Sequence, residues 1–333
     1  MSKSKHSTFI VTGGAGFIGS NFLRLMTEKH PESKFINVDK LTYAGNPATI
    51  EDLQERKNHE FVQEDICNAT EMQRLILKDS VVVNFAAETH VDNSITGPLE
   101  FSRTNVLGTH TLLEIARKNR AALFVQISTD EVYGSLNFQS PSSKENDALN
   151  PSSPYSASKA AAEMLCLGNA ITYGQQIIRT RSSNNFGPYQ FPEKVIPLFV
   201  TNLMRGQKVP LYGNGQNVRD WIYVEDNCRA IDTIIRKGSP GEVYNIGGGN
   251  ELSNLELTKT ILEEKGFGDE MIEQALDRAG HDLRYSIDSS KVRKLGWHPF
   301  FDFRPALAQT IEWYHQNESW WRPLKDTPGK RTS

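Results

Sequence analysis

Short apolar runs alternate with helix-length amphipathic stretches through the first half of the chain. Phe9, Ile10 and Val11 form one such run, followed by residues 35–38, 81–85 and 121–127, each stopping abruptly at glycine or polar residues. Runs of this length, bounded in this way, read as buried strands. Phe61 and Val62, leading to Asp65 and Ile66, add another. Between them, residues 20–29 carry Phe22, Leu23 and Met26 at helical spacing, and residues 69–78 and 97–117 are helical stretches. The alternation predicts an α/β fold with a doubly wound parallel sheet. Residues 243–247 read as one more strand, returning to that sheet from the second half. The expected architecture is therefore a Rossmann-type domain over residues 1–182, with segments such as 241–248 returning to it. A smaller interleaved α/β domain over residues 183–333 is expected mainly to bind substrate.

The remaining segments are less periodic. A loop rich in Ser, Asn and Pro (135–154) precedes a helix running from Tyr155 to about Tyr173. Residues 184–189 are turn-rich and non-periodic, and read as loop rather than core. Residues 255–264 form an amphipathic helix with Asn254 as its N-cap. Residues 303–321 read as one amphipathic helix whose Trp313, Tyr314, Trp320 and Trp321 serve packing, and residues 328–333 as a disordered end.

Composition narrows the class. A chain of 333 residues can bury a large core, and a net charge of -3 does not mark a binder of nucleic acid or anionic membranes. No apolar run reaches membrane-spanning length. Residues 1–7 turn into the first strand without a signal-peptide core, so a cytoplasmic protein is expected. Cys67, Cys166 and Cys228 lack metal-ligand spacing and are expected to be buried free thiols, with no metal bound.

The chemistry begins at Gly13-Gly14-Ala15-Gly16-Phe17-Ile18-Gly19, between the first strand and its helix. Glycines there permit a tight turn and close backbone approach to a pyrophosphate at a helix N-terminus. The next strand ends in Asp39, twenty residues after Gly19. A carboxylate at that place accepts the ribose hydroxyls of NAD and repels the extra phosphate of NADP, so NAD is the expected cofactor. Ala86 and Ala87 would let a flat cofactor lie against the backbone. His90 has no metal-ligand partner at useful spacing and reads as structural or as a support behind the residues that touch the ligand. Ser128-Thr129-Asp130-Glu131-Val132-Tyr133-Gly134 follows another strand, where α/β sheets place ligands, and its adjacent carboxyls suggest an acid and a base on neighbouring atoms. Tyr155 and Lys159, four apart, share one helix face. The ammonium, together with a positive nicotinamide, would lower the phenol's pKa so that it takes a proton from a sugar hydroxyl.

These motifs resemble the extended short-chain dehydrogenase/reductase family and, within it, the nucleotide-sugar 4,6-dehydratases, the dTDP-glucose branch most closely. The likeness covers residues 12–20, 38–46, 86–95, 128–134, 155–159, 183–197, 212–226 and 280–288. Thr129-Asp130-Glu131 is its most discriminating part, because the related 4-epimerases share the tyrosine and lysine but lack the acidic pair. The resemblance implies that Tyr155 deprotonates the sugar O4, Thr129 hydrogen-bonds O4, Glu131 takes the C5 proton and Asp130, holding a proton at neutral pH, protonates the departing O6. The product would be a 4-keto-6-deoxy sugar.

Further contacts follow from the resemblance alone. The cofactor would touch Gly13, Gly16, Phe17, Ile18, Gly19, Asp39, Lys40, Leu41, Thr42, Asp65, Ile66, Phe85, Ala86, Ala87, Thr104, Tyr155, Lys159 and Asn185. The nucleotide sugar would touch Thr89, Asn184, Lys194, Val195, Pro210, Tyr212, Arg219, Asn254, Arg278 and His281. A homodimer is implied, pairing helices that include residues 155–173, where Ala160, Ala161, Ala162 and Leu165 permit close packing. Two departures stand out: Asn93 replaces an arginine typical of the dTDP-glucose enzymes, and Ala279 replaces a usual proline. Residues 162–165 with Thr180 and Arg181 also resemble UDP-sugar dehydratases, so UDP-GlcNAc or UDP-glucose is the alternative substrate. A catalytically silent NAD-binding scaffold is the rival from another class, disfavoured because the tyrosine, lysine and acidic pair are intact.

Overall fold

The apolar runs become strands Thr8–Thr12 (β1), Lys34–Asp39 (β2), His59–Gln63 (β3), Val81–Asn84 (β4) and Leu123–Thr129 (β5); Ile177–Ser182 (β6), too polar after Ile178 to read as such a run, joins them. The computed structural model, which describes residues 8–277 and 281–326, then has Asn184–Phe186 (β7), Val209–Tyr212 (β8) and Val218–Tyr223 (β9) outside that group. Val243–Ile246 (β10) rejoins it, as its apolar pattern predicts. The seven strands form one sheet in the order β10-β6-β5-β4-β1-β2-β3, with every neighbouring pair parallel. The order reverses between β1 and β4, which opens a crevice above their carboxyl ends. Every residue of β4 and β5 is buried, so these strands are covered on both faces rather than alternating between core and solvent.

Helices cover both faces. Phe22, Leu23 and Met26 of Phe17–Lys29 share one core with Ile231, Ile234 and Ile235 of Val224–Lys237 and with Val11, Val83 and Val125 of the sheet. On the other face Met72, Leu112 and Leu113 pack against Ile10, Val82 and Phe124. Each such fully buried side chain contributes about 1.5–3 kcal/mol. A separate core, built from Phe186, Phe199, Trp221, Leu257, Tyr314 and Trp321, lies in the second half of the chain. It is framed by two small sheets, in which Glu251–Ser253 (β11) pairs with β9, and Ile272–Ala275 (β12) pairs with β8.

Four sequence expectations change. Residues 184–186 are strand and core, not loop: β7 runs parallel to β9, and Phe186 is enclosed by Trp221, Tyr223 and Phe303 at ring separations of 6.5, 5.6 and 5.3 Å. Three residues are too few for a period to show. The helix expected over 303–321 is two, Phe303–Gln316 and Glu318–Asp326, parted at Asn317. That break folds Trp320 back onto Trp313 at 5.2 Å and lets the Trp321 indole N–H donate to the Tyr314 carbonyl at 2.8 Å. Ser253, not Asn254, caps Asn254–Lys265, because Ser253 Oγ accepts the Glu256 N–H while the Glu256 carboxylate accepts the Ser253 N–H. Cys166 and Cys228 are buried free thiols as expected, but Cys67 is only half-buried.

The helical stretch after residue 97 contains a wide π-helical segment, Ser102–Gly108, between Pro98–Phe101 and Thr109–Lys118. Among the described residues no helix is long and apolar enough to cross a membrane, and no group of His, Cys, Asp or Glu is arranged to hold a metal ion. The expectations for residues 1–7 and 328–333 fall outside the described residues.

Candidate active site

The glycine turn after β1 is shaped by contacts that side chains would forbid. Gly13 has φ +72°, and a Cβ there would lie 2.6 Å from the backbone nitrogen of Ala86. A Cβ on Gly19 would lie 2.3 Å from the Gly13 carbonyl oxygen. The turn therefore presses on the end of β4 and leaves a cradle at the start of Phe17–Lys29. Gly13→Ala is expected to destabilise the fold by about 1–3 kcal/mol and to abolish NAD binding, since it adds both left-handed strain and a clash. Urea unfolding and NAD titration check this; unchanged midpoint and affinity would contradict it.

The cradle opens into a cleft of about 300 Å³. Gly13, Gly16, Phe17, Ile18, Gly19, Asp39, Lys40, Thr42, Asp65, Ile66, Phe85, Ala86, Ala87, Thr104, Tyr155, Lys159 and Asn185 all line it. Leu41 is absent from the lining; it has φ +58° and its side chain packs against the core. The Asp39 carboxylate accepts the backbone N–H groups of Ala15 at 2.9 Å and Leu41 at 2.8 Å, one on each oxygen. Each oxygen keeps a lone pair, and burial pushes the carboxyl's pKa up despite those two hydrogen bonds. Lys40 forms an ion pair with Asp65 at 2.8 Å at the mouth. These residues fit a dinucleotide: backbone amides for a pyrophosphate, an acceptor for ribose hydroxyls and an apolar slot between Ile66 and Ala86.

The acidic pair sits where β5 ends. Asp130–Tyr133 is a single tight turn capped by Thr129, whose hydroxyl accepts the Glu131 N–H at 3.2 Å. The Thr129 hydroxyl also donates to Asp130 Oδ1 at 3.2 Å. Asp130 is only 3% exposed and its Oδ2 has no hydrogen-bond partner among the described residues. Burial first, then the charges of Glu131 and Asp220, push its pKa well above the ordinary carboxylate value, which favours the protonated form. Such a group is a buried acid with one oxygen left without a hydrogen bond among the described residues. Glu131 lines both this cleft and the neighbouring one.

Ser153 starts Pro154–Tyr173 through a reciprocal cap with Ser156, which fixes Tyr155 in the first turn. The Tyr155 phenol is buried and hydrogen-bonded to Thr129. Lys159 donates to the Ile127 carbonyl at 2.6 Å, and burial pushes its pKa down to about 8. The expected lowering of the phenol's pKa does not occur within the protein alone. Burial and the Glu131 charge push it up, and Lys159 is occupied with the β5 backbone. A positive group entering the cleft would act in the opposite direction. The helix is held to the cleft wall by Asn105 of the π-helical segment, which donates to Ser158 Oγ at 2.8 Å and to the Glu88 carbonyl at 3.1 Å.

A second cleft of about 300 Å³ adjoins the first and shares Thr89, Glu131, Asn184, Asn185 and Lys194 with it. Thr89, Asn184, Lys194, Val195, Pro210, Tyr212, Arg219, Asn254 and His281 line it; Arg278 lies outside the described residues. Arg219 stacks over Tyr285 at 4.3 Å and donates to the Val218 and Asp282 carbonyls. The capping box of Ser253 leaves the Asn254 side chain to the cleft. His90 caps Val91–Thr96, faces Glu193 at 3.8 Å and lines this cleft.

Sequence reasoning passed over several lining residues. Tyr43 meets Thr89 at 3.3 Å across the mouth of the first cleft, and Glu193 lines both clefts. Both stand beside residues singled out by motif, Thr42 and Lys194, so the polar positions of those loops were the available signal. Asp220, beside Arg219, is buried with its pKa pushed up to about 6 by desolvation. Nothing in its local sequence separates it from a surface aspartate.

Comparison with known proteins agrees with this geometry. The family model described as GDP-mannose 4,6 dehydratase matches residues 10–310. A curated dTDP-glucose 4,6-dehydratase from Streptomyces niveus is 48% identical over 321 residues, 95% of either chain. The crystal structure of the dTDP-glucose 4,6-dehydratase from Streptomyces venezuelae with NAD and dTDP bound is similar at a TM-score of 0.92 and 46% identity, over 95% of this chain and 99% of that one. A UDP-glucose 4-epimerase from Thermotoga maritima, solved with UDP-glucose, is more distant at 0.85 and 30%, over 93% and 99%. With the match running nearly end to end and the acidic pair standing between two adjoining clefts, the chain belongs to the nucleotide-sugar 4,6-dehydratases of the extended short-chain dehydrogenase/reductase family.

Proposed function

We propose that this chain is an NAD-dependent hydro-lyase that converts dTDP-glucose to dTDP-4-dehydro-6-deoxyglucose. The observation that carries the reading is the position of Glu131, on the wall common to both clefts and next to a buried Asp130 whose pKa is raised. NAD held in the first cleft supplies the two-electron acceptor that oxidises C4 and, afterwards, the donor that reduces C6. Tyr155 takes the O4 proton, with Thr129 steadying that oxygen. The ketone so formed acidifies C5; Glu131 removes the C5 proton, Asp130 gives its proton to O6, and the C6–O6 bond breaks to release water. A proton then returns to C5 from Glu131, so the net change is loss of one water. Arg219, a planar donor on the wall of the second cleft, suits the diphosphate.

The division of labour follows: residues 1–182 with the returning β10 hold the cofactor, and residues 183–333 mainly hold the nucleotide. A cytoplasmic homodimer completes the proposal. Leu99, Leu107, Met164 and Ile171 lie on the helices flanking this face and are 80%, 56%, 46% and 75% exposed, an apolar stripe suited to helix pairing. Ala160 and Ala162 are buried within the chain, so close packing between copies would rest on Ala161, Leu165 and this stripe instead.

The test is a side-by-side assay of dTDP-glucose, UDP-glucose and UDP-GlcNAc, following loss of water by mass spectrometry. Turnover at least tenfold higher in kcat/KM with dTDP-glucose is expected. Preference for a UDP-sugar would overturn the substrate and keep the mechanism; no water loss from any of the three, with NAD bound, would leave a silent scaffold.

A further inference from the structure

Behind the two clefts lies a chain of four buried polar side chains that touches neither. Glu163 stands one helical turn beyond Lys159 and two beyond Tyr155, on the same face of Pro154–Tyr173. Its carboxylate is fully buried and accepts Arg181 in a fork, at 3.0 Å from Nε and 2.7 Å from Nη2. The remaining arm of Arg181, Nη1, donates to the Tyr133 hydroxyl at 2.7 Å and to the Glu145 carbonyl at 3.2 Å. The Tyr133 hydroxyl in turn donates to Asn245 Oδ1 at 2.8 Å. Arg181 and Asn245 are direct partners across β6 and β10, and Arg181 is also the partner of Ser128 on β5.

The placement of this chain is informative. Tyr133 is the last residue of the turn that carries Asp130 and Glu131, and Glu163 belongs to the helix that carries Tyr155 and Lys159. Desolvating a charged pair costs several kcal/mol per ion, and apolar residues of the same volume would serve stability as well or better. A fully hydrogen-bonded pair retained at this position is instead suited to fixing geometry. Arg181 also packs over the Tyr133 ring at 4.7 Å, so both the ring and the hydroxyl are held.

We propose that Glu163, Arg181 and Tyr133 are positioning residues that lock the Asp130–Glu131 turn in register with the Tyr155–Lys159 helix, so that proton transfer at C5 and O6 follows oxidation at C4 without delay. This rests on the dehydratase reading above. The Tyr133 hydroxyl is the link that can be removed alone, because Tyr133→Phe keeps the ring over Arg181.

Wild type and Tyr133→Phe are compared with dTDP-glucose under saturating substrate, following water loss, C5 hydrogen exchange with heavy water and the absorbance of reduced nicotinamide. The variant is expected to lose about tenfold in kcat with KM within twofold, to exchange C5 hydrogen about tenfold more slowly, and to hold several times more of its cofactor reduced at steady state. A residue that merely stabilised the fold would lower the urea midpoint and leave the last two readouts unchanged. Arg181→Lys, which keeps the charge but loses the fork, is expected to show the same pattern and carries the test if Tyr133→Phe does not fold. Wild-type turnover with variants that match its exchange rate and reduced fraction would overturn the positioning role alone. Failure of the wild type to release water from any nucleotide sugar would overturn the dehydratase reading and the positioning role together.

Discussion

Replacing Glu131 by Gln is expected to stop the release of water while leaving oxidation at C4 in place. The amide matches the carboxylate in shape but cannot take the C5 proton, and loss of a positioned base costs about 10²–10⁴-fold. Oxidation needs Tyr155, Thr129 and the cofactor cleft, and removing the Glu131 charge lowers the Tyr155 pKa rather than disabling the phenol. Mixing the variant with dTDP-glucose should therefore raise the absorbance of reduced nicotinamide in a single turnover, with no dehydrated product by mass spectrometry and no deuterium entering C5 from heavy water. A second effect has a defined sign. The Glu131 charge is the largest cause, after burial, of the raised Asp130 pKa, so its removal brings that pKa down. Asp130 then loses its proton at lower pH than in the wild type, and any residual elimination should fail earlier as pH rises. Dehydration at the wild-type rate would refute the assignment of Glu131 as base. Absence of even the initial reduction would show that Glu131 acts at C4 as well.

Much of the frame was legible because it is written in local pattern. Most strands of the main sheet are short apolar runs, and the glycine turn, Asp39, the acidic pair and the Tyr155–Lys159 face each follow a strand or open a helix. Chemistry in such folds collects at strand ends, so a motif's place along the chain already gives its place in space. The return of residues 243–246 to the sheet was visible for the same reason: a run of four buried residues has few other uses.

What escaped depends on partners distant in sequence. Phe186 is core only because Trp221, Tyr223 and Phe303 surround it. The break at Asn317 exists because Trp320 and Trp321 pack back on Trp313 and Tyr314, and an amphipathic period runs straight through it. Asn254 looked like a cap because the alternative, Ser253, differs by one residue, and only the reciprocal Glu256 contact decides between them. The Tyr155 phenol shows the same limit in electrostatics. Lys159 is four residues away and shares its face, yet burial and the Glu131 charge hold the phenol's pKa up. Charge brought by the cofactor belongs to that balance, and the sequence contains none of it.

That balance makes Tyr155→Phe the variant with the broadest effect. Without the phenol nothing in the cleft takes the O4 proton: Thr129 is a hydroxyl already donating to Asp130, and Lys159 is held by the Ile127 carbonyl. The expected loss in kcat is about 10³-fold or more, near the upper end for a positioned base, with nucleotide-sugar affinity within threefold because the second cleft is untouched. The signature differs from that of Glu131→Gln at every step. No reduced nicotinamide should appear on mixing and no deuterium should enter C5, since acidification of C5 depends on the ketone at C4. Binding of NAD to the wild type, by placing a positive ring beside the phenol, should draw the Tyr155 pKa down from its raised position. Ultraviolet difference titration of wild type against Tyr155→Phe, with and without NAD, measures that shift directly. A phenolate signal that moves to lower pH only when NAD is bound would establish that the cofactor's charge, and not Lys159 alone, makes Tyr155 a base; a signal indifferent to NAD would return that role to the protein.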